Sequence, residues 1–289
     1  MPDSLHASRL HPDLTLGHVE LTVGHLARSL AFYREALGLT VLAAGEGAAR
    51  LGVEGKALLA LRERPGAPPA PPSSPGLDHF ALLVPTRAEL ARLVRHIGGM
   101  GLRLGQSDHL VSEAFYLADP DGHGIEVYRD RPRDGWRWVG GEVRMGGEPV
   151  DVPGLLREAG PPAPWTGLSG GTVMGHVHLR VADLDAAEAF YADTLGFDVV
   201  SRWPGALFVS VGGYHHHLGL NTWQSLGGEA APAGSARLER VWVHLPDAGA
   251  LGDVAERLRL GGAPFTQPSQ RAGTLEVDDP FGTRLALTV

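Results

Sequence analysis

Four segments of the chain carry one pattern. A repeat of this length constrains the fold strongly, because each copy must be one supersecondary unit that buries its apolar face with its neighbours' help. The first and third copies are plainest, GHVELTVGHLARSLAFYREALGLTVL from Gly17 and GHVHLRVADLDAAEAFYADTLGFDVV from Gly175. Each reads as an alternating strand, a short turn and an amphipathic helix. Gly38 and Gly196 sit where a helix C-terminus favours a left-handed residue. The second copy, LDHFALLVPTRAELARLVRHIGGMGLRL from Leu77, opens its helix with Thr86 and Glu89 at capping-box spacing. The fourth, RVWVHLPDAGALGDVAERLRLGGAPF, begins at Arg240. Short alternating segments with Gly or Pro turns follow each helix, so each unit reads as β-α-β-β-β.

The expected fold class is therefore α+β, with four β-α-β-β-β modules paired into two half-barrel domains. Consecutive modules are expected to pair. Residues 1–131 would form an N-terminal two-module domain with the metal site, 132–172 a linker, and 173–289 a C-terminal two-module domain with a degenerate site. The Pro-rich PGAPPAPPSSPG, 65–76, reads as an extended spacer between the first two modules, and VDVPGLLREAG in the longer break as a short helix.

Strand alternation then sorts side chains by face. Val19, Leu21 and Val23 share one face of the first strand, with His18, Glu20 and Thr22 on the other. In the second module Phe80, Leu82 and Val84 oppose His79, and in its last strand Ile125 and Val127 oppose Glu126. With the apolar faces packed on helices, His18, His79 and Glu126 share the concave side. A glutamate in the apolar strand GIEVY is costly to bury unless paired, protonated or metal-bound.

Composition limits the chemistry. The 289 residues are 43% hydrophobic and 20% charged, the make-up of a globular protein long enough for two domains. A net charge of −8 without clustered Lys and Arg excludes a nucleic-acid partner. No apolar run has membrane-spanning length, and MPDSLHASRLHPDLTL lacks the basic start and apolar core of a signal peptide, so the expectation is no membrane association and a cytoplasmic location. Cysteine is absent, so any metal is held by the carboxylates and the 14 histidines. Taken singly, a histidine is most simply a satisfied polar residue. Two imidazoles and a carboxylate on one face, however, compose a triad that caps one side of an octahedral ion and leaves the other open. Its donors suit Fe(II) or Mn(II) and are compatible with Zn(II).

The β-α-β-β-β repeat, with His on first strands and Glu on a last strand, resembles the vicinal oxygen chelate superfamily of glyoxalase I, bleomycin-resistance proteins and type I extradiol dioxygenases. Within SDHLVSEAFYLADPDGHGIEVY, residues His109, Phe115-Tyr116, Asp119-Pro120, Gly122 and Glu126 are similar to the extradiol ring-cleavage signature, with Ser107 departing at its start. The whole is most like bacterial two-domain catechol 2,3-dioxygenases. That resemblance implies an extradiol dioxygenase that opens catechol or a substituted catechol with O₂. His18, His79 and Glu126 would hold Fe(II), His109 would act as acid or hydrogen-bond donor, and Tyr116 would bond a substrate or metal-bound oxygen. Paired-module folds of this kind often form homo-oligomers.

Two departures stand out. Relatives often carry a further active-site His late in the first module of the catalytic pair, whereas ARLGVEGKALLALRER has none. Many relatives also hold the metal in the second half. Without the flanking signature, His109 and Tyr116 read as an exposed loop residue and an ordinary strand tyrosine, and His123 reads as solvated. In the third module His176, His178, His215 and His217 suggest a second cluster, but Arg240 and Ala286 occupy the places of His79 and Glu126 in the fourth. A degenerate polar cavity or shared ligand pocket is expected there, with GGYHHH exposed. The competing functions are a glyoxalase-like or thiol-transfer metalloenzyme and a metal-free binding protein for a small aromatic compound.

Overall fold

The structure is a computed structural model that describes residues 9–289; residues 1–8, where the N-terminal segment begins, lie outside it. Module one comprises β1 (Thr15–Val23), α1 (Leu26–Glu35), β2 (Thr40–Gly45), β3 (Ala48–Val53) and β4 (Lys56–Glu63). Module two comprises β5 (Gly76–Leu83), α2 (Arg87–Gly99), β6 (Gly105–Asp108), β7 (Ser112–Ala118) and β8 (Gly124–Asp130). Between the halves lie the hairpin β9 (Trp138–Val139) and β10 (Glu142–Val143) and the expected short helix, α3 (Val152–Glu158). Module three comprises β11 (Val173–Arg180), α4 (Leu184–Glu188), which widens into a π-helical stretch to Leu195, β12 (Asp198–Trp203), β13 (Ala206–Ser210) and β14 (Leu218–Asn221). Module four comprises β15 (Leu238–His244), α5 (Ala248–Leu260), β16 (Phe265–Thr266), β17 (Thr274–Asp278) and β18 (Arg284–Thr288).

In every module the first strand lies parallel to the last, a pairing that requires the crossover the helix supplies. Thr86 caps α2 by accepting from the Glu89 N–H at 3.1 Å, and Gly38 and Gly196 end their helices at φ of +66° and +99°. Val19, Leu21 and Val23 of β1, and Phe80, Leu82, Ile125 and Val127 of β5 and β8, join Tyr33, Leu90, Leu93 and Ile97 of the helices in one continuous core.

The strand order is β16-β17-β18-β15-β1-β4-β3-β2 in one eight-stranded sheet and β12-β13-β14-β11-β5-β8-β7-β6 in the other. Two half-barrels result, as expected, but their composition corrects the expected pairing. Module one shares a sheet with module four through β1 and β15, and module two with module three through β5 and β11. The division into 1–131 and 173–289 therefore cuts across both sheets. All four first strands have the same alternation, so the strand pattern itself carries no information about the partner.

Consecutive modules are joined instead by buried side chains. The Tyr33 hydroxyl of α1 donates to Asp119 Oδ2 at 2.9 Å, and Tyr191 donates to Asp279 Oδ2 at the same distance. Each aspartate begins an Asp-Pro-x-Gly turn and folds it by accepting from two backbone N–H groups, those of Asp121 and His123 or of Phe281 and Thr283. Asp121 receives the Gly24 N–H, the Ser29 hydroxyl and the Arg28 guanidinium at the start of α1. This part of the signature is thus a structural tie. His123 is not solvated: it is buried, with Nδ1 2.9 Å from Asp119 Oδ2.

Candidate metal centre and cavity

Strand register builds the centre. His176 on β11, Ala81 on β5, Glu126 on β8 and Tyr116 on β7 are successive cross-strand partners in one row, and His178 lies opposite His79 one step along. A bulge between Met174 and His176 admits Gly175, whose place can carry no side chain because a Cβ there would fall 1.8 Å from the Tyr128 hydroxyl. With only the Ala81 methyl group between them, His176 and Glu126 lean together over β5.

His79 Nε2 lies 3.0 Å and His176 Nε2 3.2 Å from Glu126 Oε2, and ligand atoms of the three residues lie within 4.8 Å of one another. All three side chains are buried. His79 Nδ1 is 2.8 Å from Asp78 Oδ1, so a proton on Nδ1 leaves the Nε2 lone pair facing the carboxylate. His79 Nε2, Glu126 Oε1, His176 Nδ1 and His178 Nε2 are buried without hydrogen-bond partners. Converging lone pairs and orphaned polar atoms of this kind fit a bound cation. Asp78, His79 and His178 form a second grouping that shares His79.

The electrostatics follow from burial and pairing. Burial opposes ionisation of Glu126, yet His176 and His79 hold its carboxyl well below the usual range. Burial also works against the His79 cation, but the hydrogen bond to Asp78 and the adjacent Glu126 charge carry it up to about 9. Burial and the neighbouring His79 lower His178 to about 3. Tyr116 is raised well above its ordinary value, by burial and then by the Glu126 charge, so its hydroxyl keeps its proton.

These groups open into a cavity of about 290 Å³, whose walls include His109, His216, Trp203, Phe208 and Trp223. His109 is half-buried, its Nε2 2.7 Å from the Tyr116 hydroxyl and its Nδ1 2.8 Å from Gly146 O. Met145, from the segment between the halves, closes another side.

His79, Glu126, His109 and Tyr116 are thus brought together, and His18 is not. This corrects the expected ligand set: His18 lies in the other sheet, stacked on Trp242 at 5.2 Å and 3.9 Å from Glu20. Burial, reinforced by nearby Arg50, lowers it to about 4 even though Glu20 opposes the change. In that sheet Arg240 takes the place of His79, Trp242 that of Ala81 and Ala286 that of Glu126. His176 is the repeat-equivalent of His18, and assigning module three as the partner of module two would have selected it. In GGYHHH the two glycines are exposed as expected, but Tyr214 and the three histidines are buried: His215 Nε2 meets Asp130 Oδ1 at 2.9 Å, and His217 Nδ1 meets the Ser210 hydroxyl at 2.9 Å.

Comparison with known proteins agrees with this architecture. The family model of the Glyoxalase/Bleomycin resistance protein/Dioxygenase superfamily matches residues 15–127 and 173–287. The chain is 46% identical to a catechol-2,3-dioxygenase of Bacillus subtilis (strain 168) over 280 residues, 94% of this chain and 95% of that protein. A glutathione transferase FosA of Serratia marcescens is 28% identical over 114 residues, 39% of this chain and 79% of its own length. Among solved structures, a candidate dioxygenase of Bacillus subtilis superposes with a TM-score of 0.68 at 14% identity, covering 97% of this chain and 86% of that one. Glyoxalase I of Zea mays gives 0.57 at 19% identity, covering 96% and 92%. The chain belongs to the Glyoxalase/Bleomycin resistance protein/Dioxygenase superfamily.

Proposed function

We propose that this protein is a metal-dependent extradiol dioxygenase that opens catechol or a substituted catechol with O₂. The observation that carries this reading is the convergence of His79, Glu126 and His176 on one side of a cavity walled by aromatic rings. It is supported by the similarity to a catechol-2,3-dioxygenase along nearly the full length of both chains. His79, His176 and Glu126 would hold the ion. Fe(II) is the favoured metal, with Mn(II) and Zn(II) compatible with the donors. Bound there, Fe(II) would supply Lewis acidity toward the diol oxygens and redox chemistry toward O₂.

The remaining work falls to the chain's own groups. Asp78 holds the Nδ1 proton of His79 and so keeps Nε2 available for the ion. Trp203, Phe208 and Trp223 give a flat apolar substrate a wall and exclude water. A chain of hydrogen bonds orients His216. If His215 gives its Nε2 proton to Asp130 at 2.9 Å, its Nδ1 accepts from His216 Nδ1 at 2.9 Å, and His216 Nε2 presents a lone pair to take a proton from the diol. His216 lies just before the last strand of module three, where relatives' further active-site His is expected once module three is recognised as the partner. His109, with its Nδ1 proton on Gly146 O, accepts from Tyr116 and orients that hydroxyl beside the centre.

The test is anaerobic reconstitution with Fe(II), then catechol and air. A coloured ring-opened semialdehyde should form with the wild type and be absent from metal-free protein and Glu126→Ala. No colour from iron-loaded wild type would reject the reading, and turnover of a substrate without O₂ would favour a glyoxalase-type reaction.

A further inference from the structure

The sheet formed by modules one and four has its own concave side, an open groove of about 580 Å³. Two of the changes that separate it from the metal centre favour an anion, although Glu20 in the place of His178 and Glu276 in that of Tyr116 run the other way. An imidazole is replaced by the Arg240 guanidinium and a carboxylate by the Ala286 methyl group. The position built to attract a cation in one sheet carries a fixed cation in the other. Arg50, Arg62, Arg271 and Arg284 join Arg240 along the groove, on a chain whose net charge is −8.

The acids present do not neutralise all five. Glu20 accepts from Arg240 Nη1 at 2.5 Å and from Trp242 Nε1 at 2.8 Å. Glu276 pairs with Arg240 at 3.2 Å and Arg271 at 2.7 Å, and Asp278 pairs with Arg284 at 2.7 Å. Glu239 is taken by Thr22 and Arg237. Among the described residues, Arg50 and Arg62 have no acid partner, and Arg240 Nε is buried without a hydrogen bond. In the β3–β4 ladder Arg50 is opposite Ala60 and Arg62 opposite Ala48, which makes the two arginines diagonal neighbours on one face. Like charges so placed repel, and one anion between them would reverse the sign of that interaction.

The geometry points to a binding site for a small organic carboxylate in this groove, held by the paired guanidiniums of Arg50 and Arg62. Arginine forks match carboxylates in a bidentate manner. The methyl groups of Ala43, Ala48 and Ala60, on the same face, offer an apolar floor that favours an organic anion over an inorganic one. The groove's size suits a small molecule. The site is separate from the metal centre and does not depend on the proposed reaction.

Isothermal titration of the full chain with benzoate tests it, with inorganic phosphate and benzyl alcohol as comparison probes. Benzoate should bind saturably at one site per chain, more tightly than phosphate, with no binding of benzyl alcohol. Arg50→Gln and Arg62→Gln should each weaken it severalfold, and the double variant at least tenfold, while Glu126→Ala binds as the wild type does. Both arginines are exposed, so folding should be retained, and the single variants keep the test usable if the double variant is unstable. Absence of saturable binding, phosphate binding as tightly as benzoate, loss of binding in Glu126→Ala, or full affinity in the double arginine variant would each overturn the proposal.

Discussion

The side chain between His176 and Glu126 is the methyl group of Ala81, whereas the equivalent place in the other sheet holds the indole of Trp242. Small size at one position is thus what lets two candidate ligands from strands on either side of β5 meet. Two outcomes are expected at this scale. Asp78→Asn removes the charge that holds the His79 tautomer, and metal affinity should fall about 10–100-fold in an anaerobic titration. His216→Gln should lower kcat by about 10²–10⁴-fold while metal content stays at the wild-type level, as expected when a proton acceptor is lost from an intact centre. Period-two alternation was enough to place His79 and Glu126 on the concave face. It also placed His176 on an equivalent face, but nothing in one strand says which other strand it will meet. The burial of His215, His216 and His217 was illegible for a related reason, since it depends on Asp130 and Trp136 from distant segments.

At the scale of elements, the Asp-Pro-x-Gly turns fasten each helix of the odd modules to the module that follows. Tyr33→Phe removes a buried donor to Asp119, and Asp121→Ala leaves the Gly24 N–H, Ser29 and Arg28 without their acceptor. Each should lower unfolding free energy by about 1–3 kcal/mol in urea titration, because a buried polar partner is left unsatisfied. The helices, their caps and the glycine stops were legible because those signals are local. The role of Asp119 was not: within the signature it looks like part of the site, and its partner Tyr33 lies 86 residues away.

For the whole molecule, the buried titratable groups set a direction for stability against pH in the metal-free protein. Glu113, Asp119 and Glu126 have folded-state values below their ordinary ones, so their contribution is complete above about pH 5 and is lost as pH falls through the depressed values. His178 and His217, each lowered to about 3, stay neutral when folded and charge when unfolded, so they begin to destabilise as pH drops below about 6.5. His79, raised to about 9, has the opposite sign: its contribution is full below about pH 6.5 and fades as pH rises through 9. Thermal midpoints of the metal-free protein should therefore fall steadily from pH 7 to pH 4, and a flat or rising profile would contradict these assignments.

The pairing of module two with module three is the global fact on which the centre rests, and it is also the one a repeat of four near-equivalent units conceals. Metal content after anaerobic Fe(II) reconstitution and gel filtration tests it most directly, on His176→Ala beside His18→Ala. One ion per chain is expected for the wild type and for His18→Ala, and none for His176→Ala. Retention of the ion by His176→Ala with its loss from His18→Ala would contradict the ligand set and the proposed reaction with it.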